Sequence, residues 1–280
     1  MSAAMARSRP GGPRGAVGSL GSRLLEFLPA AIVLAGGIVL WELLIVTFNV
    51  KQFILPRPSA IAAALVDHWS DQKFPLAAAA AQTVREALGG LALGTLAGLL
   101  VAFGSARWAT ARGLVLPVAV AANAIPIIAL APLVNAWFGL LNPLSKMIMA
   151  AVLVFFPVMA NVTRGLTQVE PAAIELMRSY AASDWAVVRK VRIPNALPFF
   201  FTAMKIATTL SLIGAIVGEY FGGQTQVLGH LIIETTSSLR YDITWAAILL
   251  GALAGIAFYA ITVLVERLVI PWSTALRNEG

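Results

Sequence analysis

The chain has 280 residues, 59% of them hydrophobic and only 12% charged, with a mean hydropathy of +0.84. A soluble domain carries about 25% charged residues; apolar content gathered into long blocks is instead the mark of bilayer spans, and excludes an ordinary water-soluble core. The absence of cysteine excludes disulfides and thiolate metal sites, and the net charge of +7 forms no basic stripe interleaved with aromatics, so no nucleic-acid partner is implied.

In chain order, residues 1–21 are rich in Gly, Pro and Arg and read as a disordered cytoplasmic tail. Residues 22–280 read as one all-α membrane domain of six transmembrane helices. The first apolar run, Phe27–Phe48, is too long for the core of a cleaved signal peptide and long enough to span. Residues 49–82 contain a Leu55-Pro56-Arg57-Pro58-Ser59 turn, after which a short amphipathic helix is expected with Ser59 as its cap. The second span, Thr83–Gly104, carries Gly89, Gly90, Gly94 and Gly98, which permit close helix approach where lipid supplies no hydrophobic drive. The third, Leu114–Phe138, is interrupted by Pro126 and Pro132. The fourth, fifth and sixth run from Leu144 to Val162, from Leu197 to Tyr220 and from Trp245 to Val265. His68 and His230 have no carboxylate or second histidine at ligand spacing and read as ordinary loop or interface residues.

Charge placement sets the orientation. With the N-terminus inside, thirteen of the twenty Lys and Arg residues fall in cytosolic segments and five outside, Lys146 among the five, while Arg85 and Lys205 lie within spans. That asymmetry obeys the positive-inside rule and places both termini in the cytoplasm.

The cytosolic loop at 163–196 is too long for a simple connection and too patterned for disorder. Pro171 suits the first turn of a helix. Ala173, Met177 and Tyr180 share one face, with Leu176 and Ala181 beside them and Glu175, Arg178 and Ser179 opposite. A turn at Ala182-Ser183-Asp184 starts a second short helix, Trp185–Val191, whose end carries Arg189, Lys190 and Arg192. Pro194 and Pro198 are expected to stop it before the fifth span. Two amphipathic helices need a partner for their apolar faces: the bilayer interface, the protein's own spans or another subunit.

This loop resembles the cytoplasmic EAA loop of ABC-importer permeases, whose pattern is Glu-Ala-Ala, three residues, Gly, nine residues, then Ile-x-Leu-Pro. Glu175-Leu176-Met177, Ala181 and Val191-Arg192-Ile193-Pro194 keep that spacing, with alanine at the glycine position, which argues that this turn needs no positive φ. The Pro-Asn-Ala-Leu-Pro entry to the fifth span, Gly218-Glu219-Tyr220-Phe221-Gly222 and Val265-Glu266-Arg267 are similar to the nitrate/sulfonate/taurine branch, over about residues 83–272.

The resemblance implies the type I importer permease fold. It also implies two permease copies forming the pathway, ABC ATPase subunits docked beneath them and an extracytoplasmic substrate-binding protein, with membrane lipid around the spans. No cofactor is implied. Glu175, Arg178, Ala181, Ala182, Ser183, Asp184 and Pro194 would form the ATPase-coupling surface; for Glu175, a role only in capping its helix stands equally open. Polar and broken-backbone positions within spans are the pathway candidates: Asn123, Pro126, Asn135, Ser211 and Glu219. Lys205 is expected to snorkel to lipid phosphates, and Glu42 to pair with another helix. The substrate implied is a small anion or organic solute of the nitrate/sulfonate/taurine kind, with a pyrimidine or related heterocycle as the alternative. A membrane enzyme would need a catalytic constellation that the spans lack, and a channel or secondary transporter leaves the two-helix loop unexplained.

Overall fold

The computed structural model describes residues 20–107, 113, 117, 126–222 and 226–272. The predicted tail therefore lies outside the described residues, save for its last two positions. The chain divides into two units, Met1–Lys51 and Gln52–Gly280. The first holds α1 (Leu20–Thr47), whose stretch Leu28–Thr47 is apolar enough to cross a membrane.

The second unit holds the other described helices. α2 (Pro58–Asp67) opens with Pro58 in the first turn, where a fixed φ and a missing N–H cost nothing. Arg57 is the N-cap residue in place of the expected Ser59, because the proline starts the helix two residues earlier. α3 (Leu76–Arg107) begins well before Thr83, since the alanine-rich run at 77–81 favours helix. Of the expected third span, the part before Pro126 lies largely outside the described residues; the rest forms α4 (Ile127–Phe138), twelve residues with Pro126 at its N-cap and Pro132 inside. α5 (Pro143–Thr167) is capped by Asn142, whose Oδ1 accepts from Leu144 N–H at 3.0 Å. Then come α6 (Pro171–Ser179), α7 (Asp184–Val187), a π turn (Val188–Arg192), α8 (Ile193–Tyr220), α9 (Leu228–Ser237) and α10 (Tyr241–Val269). Among the described residues five helices are long and apolar enough to cross a membrane.

The prolines after α7 do not stop it. The Ile193 N–H reaches back five residues to the Val188 carbonyl, a wide turn that accommodates Pro194 in the first turn of α8 and lets helix run unbroken from Asp184 to Tyr220. A π turn carries no signature in composition or spacing that would separate it from a helix end.

α5 is the centre of this unit. Its buried residues Met149, Ala150, Val154, Val158 and Val162 recur at helical spacing and contribute to each of three apolar clusters: with Ala102, Ala203 and Ala207, with Ala87, Ala215 and Phe258, and with Ala131 and Val134. α3 and α8 flank α5 and pack against it most extensively. Small residues set the spacing on both sides. A Cβ on Gly94 would come within 2.5 Å of the Ala151 carbonyl, and one on Gly214 within 2.6 Å of Ala150 Cα. The glycine row singled out in the sequence is thus the surface on which α3 meets α5. α10 packs on α8, α9 bridges α10 and α8, and α4 lies against α5 and α8.

Candidate functional site

The two ends of α8 carry the two polar constellations of the second unit. At the N-terminal end, α6 closes on a Schellman turn: Ala182 N–H bonds Met177 O at 3.1 Å, and Ala181 N–H bonds Arg178 O at 2.9 Å. Ala181 occupies the left-handed position with φ +53°. The expectation that alanine here signals a turn without positive φ is therefore wrong; the turn keeps the geometry glycine would supply, and the alanine bears the steric cost. Ser183 then caps α7, its Oγ accepting from Ala186 N–H at 3.3 Å.

No residue of α6 is buried. Ala173, Ile174 and Met177 are half-buried, whereas Leu176, Tyr180 and Trp185 are 57%, 76% and 69% exposed. Glu175, Arg178, Ala181, Ser183 and Asp184 are exposed too, and Ala182 and Pro194 half-buried. The predicted coupling residues other than Pro194 thus sit on one short helix–turn–helix, among apolar groups that the second unit leaves uncovered.

At the C-terminal end of α8 the arrangement is reversed. Glu219, Glu86 and Lys146, from α8, α3 and α5, are all at most 2% exposed. Glu219 Oε2 accepts from Gly229 N–H at 2.7 Å, and Thr83 Oγ1 accepts from Leu228 N–H at 3.0 Å. Glu86 Oε1 accepts from Gln82 Nε2 at 3.1 Å. Lys146 Nζ donates to Leu140 O and lies within electrostatic reach of both carboxylates, which also interact with each other.

The pathway candidates are spread over this picture. Asn123 lies outside the described residues. Pro126 is exposed. Asn135 is buried, and neither polar atom of its side chain has a hydrogen-bond partner among the described residues. Ser211 is buried with its hydroxyl donating to Thr208 O at 2.9 Å, and Glu219 belongs to the cluster just described. Two further expectations are corrected. Lys205 does not snorkel; it pairs with Glu266 across α8 and α10, because one turn of α10 brings a carboxylate within its reach. His68 is not isolated: Nδ1 meets Asp71 Oδ2 at 2.8 Å, and Arg240 lies 3.4 Å from its Nε2. That hydrogen bond, followed by one from Lys73 N–H, holds the exposed Asp71 carboxyl below its ordinary range.

Glu86 and Lys146 were missed as site residues. Lys146 counts as an outside cation although the predicted fourth span already includes it; the structure buries it within α5. The signal for Glu86 was present: an ionisable residue within an apolar span asks for a partner.

The comparisons with known proteins agree with this architecture. Residues 94–272, more than half of the chain, match the family described as "Binding-protein-dependent transport system inner membrane component". A probable ABC transporter permease protein of Haemophilus influenzae is 30% identical over 254 residues, covering 89% of this chain and 99% of the relative. The formylaminopyrimidine transport permease protein of Halalkalibacterium halodurans is 29% identical over 84% of this chain and 91% of its own length. A putative aliphatic sulfonates transport permease protein of Escherichia coli is 30% identical, over 54% of this chain and 57% of its own. The chain therefore belongs to the binding-protein-dependent ABC-importer permeases: a multi-pass protein of the cytoplasmic membrane, not itself an enzyme, from a family that works with an ATPase and a substrate-binding protein.

Proposed function

We propose that this permease pairs with a second copy of itself in a type I arrangement of six spans per chain, lipid-embedded, with both termini cytoplasmic and residues 1–21 as a tail. In this reading the loop at 163–196 is the coupling element. Glu175, Arg178, Ala181, Ala182, Ser183 and Asp184 enter a cleft of the ATPase, and Pro194 sets the start of α8 behind them. One observation carries it: a well-formed Schellman turn and cap present Leu176, Tyr180 and Trp185 to the outside. Apolar side chains held on a rigid frame suit a protein cleft. ATP-driven closure of the ATPase pair would then bias two states of the pathway through differential contacts at this surface.

For the solute we favour a heterocycle over a small anion. The formylaminopyrimidine permease matches over most of both chains, the sulfonate permease over about half of each. The buried cation Lys146 and the half-buried Lys205 are each engaged with carboxylates of the chain itself, which leaves neither to receive nitrate or sulfonate. Asn135, buried with both amide atoms unpartnered, keeps hydrogen-bonding capacity for such a solute. Asn123 and Pro126 stay proposed as pathway positions; Ser211 spends its donor on Thr208 O.

The absence of cysteine permits a clean test. Ser179→Cys places a thiol on exposed α6 without burdening the positive-φ position. Cross-linking from it in native membranes, followed by mass spectrometry, is expected to capture an ATP-binding subunit in a nucleotide-dependent manner. Adducts only to lipid would return α6 and α7 to an interfacial role. Radiolabelled pyrimidine uptake competed by pyrimidines and not by taurine supports the heterocycle; the reverse overturns it.

A further inference from the structure

α9 is a ten-residue helix whose N-cap is Val227, a side chain with nothing to offer an N–H group. The first N–H groups of a helix have no partner inside it, and burying one unpaired costs about 1–3 kcal/mol. In this protein they are satisfied from elsewhere in the fold. Leu228 N–H is taken by Thr83 of α3, at a separation of 145 residues, and Gly229 N–H by Glu219 of α8. The Glu219 carboxyl oxygen also stands at the end of α9 where the helix dipole favours an acceptor. Gly229 is what lets α8 come so close: a Cβ there would lie 2.6 Å from Glu219 Cβ and 2.7 Å from Ile216 O.

Glu219 is itself held. It is fully buried, interacts with Glu86 and the Thr83 hydroxyl, and shares the field of Lys146 with Glu86. Lys146 cannot drift, because its Nζ is tied to Leu140 O and its Cα and Cγ lie 3.3 Å from where a Cβ on Gly218 would stand. A buried charge is retained only where partners and hydrogen bonds offset its desolvation, and all of these meet at the start of α9.

We infer that Thr83 and Glu219 are positioning residues for transport: through the first two N–H groups of α9 they fasten that helix to α3 and α8 together, with Glu86 and Lys146 holding Glu219 in register. A movement that parts α3 from α8 at this end must break one of the two bonds, so α9 moves with the α3–α8 pair as one body. This goes beyond family membership and needs no particular substrate.

The test uses the complete complex of permease, ATPase and binding protein in liposomes, with ATP as the probe. Spin labels at Ala81→Cys, exposed on α3, and Ser237→Cys, exposed on α9, report the distance between the helices. Thr83→Val and Glu219→Ala are expected to broaden that distance distribution and lower kcat for ATP hydrolysis at least fivefold, with KM for ATP unchanged. Glu219→Gln keeps an acceptor for Gly229 N–H and leaves Lys146 balanced by Glu86, so it is expected to retain the narrow distribution and most of the turnover. A purely stabilising role would lower the amount of assembled complex without splitting kcat from KM or sparing glutamine. Should Glu219→Ala fail to assemble, the neutral, near-isosteric Thr83→Val and the Gln variant decide. A distribution unchanged in Thr83→Val, or a Gln variant as slow as Ala with α9 still in place, would overturn the inference.

Discussion

The two ends of α8 are opposites. Near Tyr220 the polar groups are inside: three ionisable side chains from α3, α5 and α8 are buried to 2% exposure or less, and Glu219 and Thr83 bond the start of α9. Near Ile193 the apolar groups are outside, on α6 and α7, with no residue of α6 buried. An end that buries its ionisable groups among its own helices is packed within one chain, although Glu86 Oε2, Glu219 Oε1 and both Asn135 amide atoms keep no hydrogen-bond partner among the described residues. One that presents leucine, tyrosine and tryptophan on a capped frame is finished by something else. The contrast separates an end closed by the chain's own packing from one that leaves apolar groups uncovered.

The largest effect that could break this contrast is expected at Lys146. Lys146→Met leaves two buried carboxylates without their cation, a loss on the scale of about 3–5 kcal/mol for an uncompensated buried charge. Assembled permease in membranes should collapse, and the double variant Lys146→Met/Glu86→Gln should recover part of it; a single variant with wild-type melting behaviour would show that the cluster contributes little. Next comes the opposite end. Leu176→Asp should leave the melting temperature of isolated permease nearly unmoved, since surface changes typically stay within about 0.5 kcal/mol, while weakening ATPase binding at least tenfold in a pull-down titration. A large drop in permease stability would mean that α6 is covered after all.

A smaller effect sharpens the same end. Ala181→Gly removes the left-handed strain of about 1 kcal/mol at the cost of a freer unfolded chain. Proteolytic protection of the α6–α7 turn should be kept or rise slightly, whereas Ala181→Val should loosen it. The smallest effect is at the His68–Asp71 link. Asp71 is held below its ordinary pKa by the hydrogen bond from His68, so its contribution is present above the unfolded value of 3.8 and is lost as pH falls through the lowered folded value. Hydrogen exchange around Leu76 and Ala77, which bond back to His68 and Trp69, should stay slow to about pH 4 and quicken only under stronger acid; Asp71→Asn should abolish that dependence.

How much of this was legible beforehand follows from the physics of each part. The long helices were plain because lipid demands some twenty apolar residues in a row, and the glycine row of α3 announced close packing by its spacing. The two short helices of the 163–196 loop could be read from its amphipathic pattern. What could not be read rests on tertiary geometry. Continuity through Pro194 depends on a π turn, and the positive φ of Ala181 on the turn's closure rather than on its residue type. Lys146 meets Glu86 and Glu219 only through the packing of α5 between α3 and α8, and the ten residues of α9 are too short to stand out by hydropathy.

The unbroken run from Asp184 to Tyr220 has a mechanical consequence. Thirty-seven residues of helix at a rise of about 1.5 Å each make a rod of roughly 55 Å, continuous from the exposed loop onward, with the π turn and Pro198 as its points of give. A tilt of only about 5° imposed at Trp185 displaces the far end, beside Glu219, by some 5 Å on that length. Geometry alone thus turns a small tilt at one end of this helix into a displacement of several ångströms, about 5 Å, at the other.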